Sequence, residues 1–190
     1  MPDPPQDVRR LPAGSAAGSA GSFVIGLDPG TTTGLAAVAR GARSTPLFVE
    51  SATPLETIER LTAWAGEGTL AGAYVEDARE LPIYARHGGK NRGERDRVAR
   101  SVGGVDTLTT IYVELLTSLG VPVATVEPVK AAKWDAETCE RLTGWRGRSN
   151  QHGRDALRIV FGRGVPRPLL STPERLRVHL PLASRGLPTL

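Results

Sequence analysis

The stretch Phe23–Thr33, FVIGLDPGTTT, followed at once by Gly34-Leu35-Ala36-Ala37-Val38, decides how the 190-residue chain is read. An apolar, β-branched run delivers one carboxylate, Asp28, to a turn built from Pro29 and Gly30, and a second apolar run leaves that turn. This is the pattern of the first hairpin of an α/β domain, with an acid held at the mouth of a central strand. An acid at a strand end is also a common turn former. The meaning of Asp28 therefore depends on which other groups reach it.

Working outward, Phe23–Leu27 and Leu35–Ala39 read as two strands and Pro46–Glu50 as a third. Pro54 stands at the first turn of a helix capped by Thr53, with Leu55, Ile58, Leu61, Thr62 and Ala65 as its inner stripe and Gly66 and Gly68 as its end. Ala71–Val75 is a short apolar strand that delivers Glu76 and Asp77. After an irregular segment, Leu81–Gly93, a long helix is expected from about Glu94 to Leu119. Val98, Val102, Val105, Leu108, Ile111, Tyr112, Leu115 and Leu119 carry its period. Gly103-Gly104 inside that pattern points to a bend or a close helix contact, and Gly120 stops the helix. Val121–Val126 is a further buried strand. Val129–Trp134 reads as a short helix or turn, Asp135–Leu142 as a helix capped by Asp135 and closed by Gly144, and Asn150–Phe161 as a last helix capped by Asn150. The folded domain is thus residues 23–164. Residues 1–22, rich in Pro, Gly, Ala and Ser, read as a disordered tail, and residues 165–190, rich in Pro and Arg, as a weakly ordered one.

Three separated places in this order carry candidate ligands: Asp28 ends the first strand, Glu76 ends a later one, and His152 and Asp155 lie three apart on one face of the last helix. Clustered carboxylates repel one another unless cations neutralise them. A donor set rich in oxygen with one imidazole suits Mg²⁺ or Mn²⁺ rather than zinc. Two such ions about 3.5–4 Å apart activate water and stabilise the leaving oxygen of a phosphodiester. Asp77, one residue beyond Glu76, points to the other side and reads as a loop acid. There is no Ser-His-Asp arrangement and no Cys/His zinc spacing. The lone Cys139 sits in a helical pattern as packing, excludes an internal disulfide and favours a reducing, cytoplasmic setting.

The formal net charge is +4, with a sequence pI of about 9.7. Between Arg79 and Arg100 there are seven Lys or Arg against three acids. A basic segment near an acidic site suits a polyanion, and nucleic acid is the commonest. Arg79, Arg86, His87, Lys90, Arg92 and Arg95 are expected to contact phosphates, joined by Lys130, Lys133, Arg146 and Arg148. Tyr84, Trp134 and Trp145 are candidates to stack on exposed bases. No stretch reaches the roughly 18 apolar residues of a membrane span, and Arg9-Arg10 lacks the apolar segment of an export signal.

The combination of Ile25–Gly34 (IGLDPGTTTG), Tyr74–Asp77 (YVED) and Asn150–Ala156 (NQHGRDA) resembles the RuvC family of Holliday-junction resolvases, within the RNase H-like superfamily. The similarity spans Phe23 to Gly162. It takes in Val126–Lys133, similar to the family's lysine-bearing stretch, and Arg97–Gly103, similar to the start of its long interface helix. The resemblance implies an RNase H-like fold, a mixed five-stranded sheet with three antiparallel strands followed by parallel ones, flanked by helices. It implies Asp28, Glu76, His152 and Asp155 as catalytic and metal-binding residues, two Mg²⁺ per site, a homodimer, and nicking of four-way DNA. Leu81–Gly93 departs from the apolar-tipped junction-probing segment of such resolvases. Two other classes remain: an actin-like or sugar-kinase-like ATPase lobe using the DPGTTTG hairpin for phosphate, and a catalytically silent nucleic-acid-binding module. The chain offers a single lobe, which counts against the first. It keeps all four donors, which counts against the second.

Overall fold

The hairpin forms as expected. In a computed structural model, which describes residues 21–41, 44–80, 92–128 and 132–167 (side chains of 92–101 excepted), β1 (Phe23–Asp28) pairs antiparallel with β2 (Thr33–Ala39). The second strand begins at Thr33, earlier than the apolar run, because Asp28 and Gly34 still pair across the hairpin. β3 (Pro46–Ala52) adds antiparallel to β2 and runs on past Glu50, since Gly34 and Thr33 still find partners in Ser51 and Ala52.

Thr53 and Glu56 close a reciprocal capping box at the start of α1 (Pro54–Gly66). That helix carries the chain to β4 (Leu70–Glu76), which lies parallel beside β1, and β5 (Val123–Val126) pairs parallel with β4. Between them stand a 3₁₀ turn (Ala78–Glu80) and the long helix α2 (Arg92–Ser118). α3 (Ala136–Thr143) is capped by Asp135 and ended by Gly144 at φ 75°. α4 (Gln151–Val160) is capped by Asn150. The sheet order β3-β2-β1-β4-β5 is the mixed, antiparallel-then-parallel sheet of the RNase H-like class.

The period-2 alternation of β1 and β2 divides the core. Phe23, Ile25, Leu27, Leu35 and Ala37 pack under α1 and α2 with Leu61, Tyr112 and Leu116. Val24, Ala36 and Val38 face the other way, with Val49 of β3, onto Ala156, Leu157 and Val160 of α4. Cys139 is buried on this second face, as expected of packing.

Several local expectations are corrected. Leu55 and Thr62 are exposed. Counting about 100° per residue from the buried Thr57 and Leu61, the inner stripe runs through Thr57, Ile58, Leu61, Trp64 and Ala65 instead. On α2 the buried line is Thr109, Tyr112 and Leu116, which leaves Ile111 and Leu119 exposed. The helix runs unbroken through Gly103-Gly104, where an added Cβ would meet nothing within 4 Å among the described residues. Residues 132–134 are irregular rather than helical, and the rest of Val129–Trp134 lies outside the described residues. Past α4, residues 162–164 are exposed, the Tyr74 hydroxyl donates to the Gly164 carbonyl (3.0 Å), and Pro166 is buried against Gly72.

Candidate active site

β1 and β4 are adjacent and parallel, with Leu27 opposite Val75, so the next residue on each strand is an acid: Asp28 on one and Glu76 on the other. Parallel neighbours lie about 4.8 Å apart, so the sheet itself holds the two carboxylates close. Alternation puts both on the face covered by α4, opposite to Leu27 and Val75.

α4 reaches that face because glycine removes the obstacle. A Cβ on Gly34 would stand 2.0 Å from the His152 carbonyl oxygen, and one on Gly26 would stand 2.2 Å from that of Ala156. Gly153, on the helix itself, also passes close to the backbone of Glu50, whose carbonyl oxygen would lie 2.8 Å from a Cβ there. With backbone against backbone, the first turn of α4 lies directly over the hairpin. Asn150 fixes where that turn begins, accepting from the Gly153 amide (2.9 Å).

The result is a cavity of about 260 Å³ lined by Asp28, Glu76, Lys133, His152, Asp155 and Arg158, with Pro128 and Ile159 as apolar walls. His152 Nδ1 is 3.1 Å from Asp28 Oδ2. Asp155 receives Lys133 Nζ on Oδ2 (3.0 Å) and Gln151 Nε2 on Oδ1 (2.8 Å). Burial raises the pKa of Asp28 despite the His152 hydrogen bond. Burial first, then repulsion from Asp28 and Asp155, pushes Glu76 up to about 7. The four candidate ligands are thus brought into one cavity. Among the described residues, no three His, Cys, Asp or Glu side chains already converge as a ready-made ion site.

Asp77, set one residue past Glu76, turns inward and is buried. Arg79 grips it through two side-chain bonds, Nε to Oδ1 and Nη2 to Oδ2 (both 2.8 Å), while Nη1 donates to Thr110 (2.8 Å). Lys133 is in the cavity, and Arg146 and Arg148 are exposed on the loop before α4. Arg146 is held by Glu140 (2.9 Å), and Arg148 lines a separate groove with Ser51 and Asn150. Tyr84, Arg86, His87, Lys90 and Lys130, and the side chains of Arg92 and Arg95, lie outside the described residues. Trp134 packs beside Arg158, whose guanidinium sits 5.7 Å from the ring centroid, and Trp145 packs on the second core face.

Two residues of the site escape the sequence pattern. Gln151 is four positions before Asp155 and Arg158 three after it, so helical spacing from Asp155 marks both.

No family model and no curated protein sequence matches this chain. Among solved structures it is similar to Thermus thermophilus RuvC in complex with a Holliday junction substrate. The identity is 22% over 73% of this chain and 90% of that one, with a TM-score of 0.46. It is also similar to a second Thermus thermophilus RuvC structure at 24% identity, covering 72% of this chain and 90% of that one, with a TM-score of 0.45. No helix among the described residues is long and apolar enough to cross a membrane.

Proposed function

We propose that this chain is a metal-dependent endonuclease that hydrolyses phosphodiester bonds in branched DNA, four-way junctions foremost, with two Mg²⁺ or Mn²⁺ ions per site. The observation that carries the proposal is the cavity itself. Asp28, Glu76, Asp155 and His152 arrive from two strands and a helix to line it, and burial there, with repulsion from Asp28 and Asp155, pushes Glu76 up to about 7.

The donors fit a hard divalent cation. Three carboxylates and one imidazole form an oxygen-rich set. Burial raises Glu76 and repulsion from Asp28 and Asp155 adds to it; that repulsion is what a bound cation would relieve. Asp28, Glu76 and Asp155 would hold the ions, with His152 beside Asp28. Ions bound there supply polarisation of the phosphodiester and a bound water of lowered pKa.

The chain's own groups do the rest. With Nδ1–H of His152 donated to Asp28, Nε2 keeps its lone pair and can take up a proton from an attacking water. Lys133 and Arg158 bring positive charge to the same cavity and would draw in a phosphate. Arg146 and Arg148 would extend that contact along the DNA backbone. The resemblance to junction resolvases adds a second copy of this chain as partner, so that two sites meet two strands, and the lone Cys139 fits a cytoplasmic setting.

The test is a cleavage panel of four-way, three-way, flap, linear and single-stranded DNA, each with Mg²⁺ or Mn²⁺. Metal-dependent nicking that favours the branched substrates is the expected result. ATP hydrolysis without DNA cleavage would replace this proposal with the phosphate-binding ATPase lobe. DNA binding with neither activity would point to a silent module.

A further inference from the structure

Beneath the sheet, on the face away from the carboxylates, α2 reaches both strand ends with hydroxyl groups. Tyr112 and Thr109 are fully buried and lie three apart on one side of that helix. The Tyr112 hydroxyl is 2.7 Å from Thr33 Oγ1, which in turn donates to the Gly30 carbonyl (3.2 Å), inside the turn that follows Asp28. Thr57 of α1, whose side chain also interacts with the phenol, donates its own hydroxyl to the Thr53 carbonyl (2.9 Å). One turn earlier on α2, Thr109 Oγ1 donates to the backbone carbonyl of Glu76 (3.3 Å).

These polar groups stand in an otherwise apolar layer of Leu27, Leu35, Leu61, Val75 and Leu116. Apolar side chains of the same shape would serve that layer's packing without the need to satisfy buried hydroxyls. What the hydroxyls add is direction. A hydrogen bond fixes the turn after Asp28 and another fixes the end of β4, both from one rigid helix.

We infer that Tyr112 and Thr109 are positioning residues, which with Thr33 set the spacing and aim of Asp28 and Glu76 from the opposite face of the sheet. The inference rests on the metal-nuclease proposal, because spacing of that kind matters where two carboxylates must share cations. Supporting groups one step behind metal ligands typically shift metal affinity or activity by about 10–100-fold.

The experiment compares the wild-type chain with Tyr112→Phe, Thr33→Val, their double variant, and Thr109→Val. Each is read by thermal melting, by Mn²⁺ titration calorimetry without DNA, and by kcat and KM on a four-way junction. Each single variant should stay folded, lose roughly tenfold or more in Mn²⁺ affinity, and lose kcat while KM for DNA is kept. The Tyr112/Thr33 double variant should lose less than the sum of the two single variants, since the contact between the two residues is removed by either one. Thr33→Val and Thr109→Val keep the inference testable where Tyr112→Phe fails to fold. Unchanged Mn²⁺ affinity and kcat in folded variants would overturn the inference alone. A wild-type chain that binds no Mn²⁺ would overturn the nuclease proposal, and this inference with it.

Discussion

The imidazole Nδ1 of His152 lies 3.1 Å from Oδ2 of Asp28, a contact between residues 124 positions apart. It joins the first strand to the last helix at the point where both enter the cavity. His152 is half exposed on its side chain, whereas Asp28 and Asp155 are largely covered. Removing the carboxylates should therefore remove the chemistry. Asp28→Asn or Asp155→Asn is expected to abolish Mg²⁺-dependent cleavage while junction binding, measured by gel shift in Ca²⁺, is kept. His152→Ala should cost a factor of about 10²–10⁴, the usual worth of a positioned proton acceptor. Full cleavage by either Asn variant would refute the assignment.

The close approach of α4 makes a second prediction. An alanine at Gly34 or Gly26 must displace a helix carbonyl, since its Cβ would fall within 2.0 or 2.2 Å of one. Overpacking costs about 1–3 kcal/mol even among movable side chains, so these two variants should lose at least that in urea unfolding. Any folded fraction should cleave poorly, because α4 carries His152 and Asp155. Gly103→Ala, on an open face of α2, is the control and should be neutral or stabilising.

Glu76 links the site to pH. Its folded-state pKa of about 7 lies above the ordinary carboxylate value, so between the two the folded chain holds the extra proton. The metal-free domain should accordingly be more stable near pH 5.5 than near pH 8, losing stability as pH rises through the folded pKa. Asp28, also raised, acts in the same direction. Melting in EDTA across that range should show the slope, and Glu76→Gln should flatten it. A wild-type midpoint that rises with pH would contradict the raised Glu76 pKa that burial and neighbouring carboxylates give it.

Arginines split into two kinds. Arg79 holds the buried Asp77 through two side-chain hydrogen bonds, so Arg79→Ala should lower the melting temperature by an amount corresponding to about 1–3 kcal/mol, the usual worth of hydrogen bonds to a charged group. Arg148 is exposed, and its replacement should leave the melt alone but reduce the salt dependence of DNA binding by about one unit of slope. A melting loss at Arg148, or an unchanged melt with a reduced slope at Arg79, would reverse the two roles.

The features legible in the sequence are those set by local rules. The hairpin around Asp28 follows from alternation and a Pro-Gly turn, and the caps Thr53, Asp135 and Asn150 from side chains that accept their own helix amides. Glu76, His152 and Asp155 stood out because each ends a strand or shares a helix face. What long-range packing decides was not legible. Thr57, Thr109 and Thr33 look like surface residues until Tyr112 is seen to reach between α1 and the hairpin. Gly26 and Gly34 pass as ordinary strand residues until α4 is placed on them. Gly103-Gly104 shows the converse, a pair that suggests contact where none is made among the described residues.

The distance in sequence between Asp28 and His152 also orders events at the ribosome. A chain still being made can pair β1 with β2 and β3 long before α4 has emerged. Until then Val24, Ala36, Val38 and Val49 have no cover, and only half of the four donors exist. A stalled or clipped product ending ahead of α4 would therefore be sticky, open to chaperones and proteases. The cavity with its four donors is complete only once α4 has closed over the sheet.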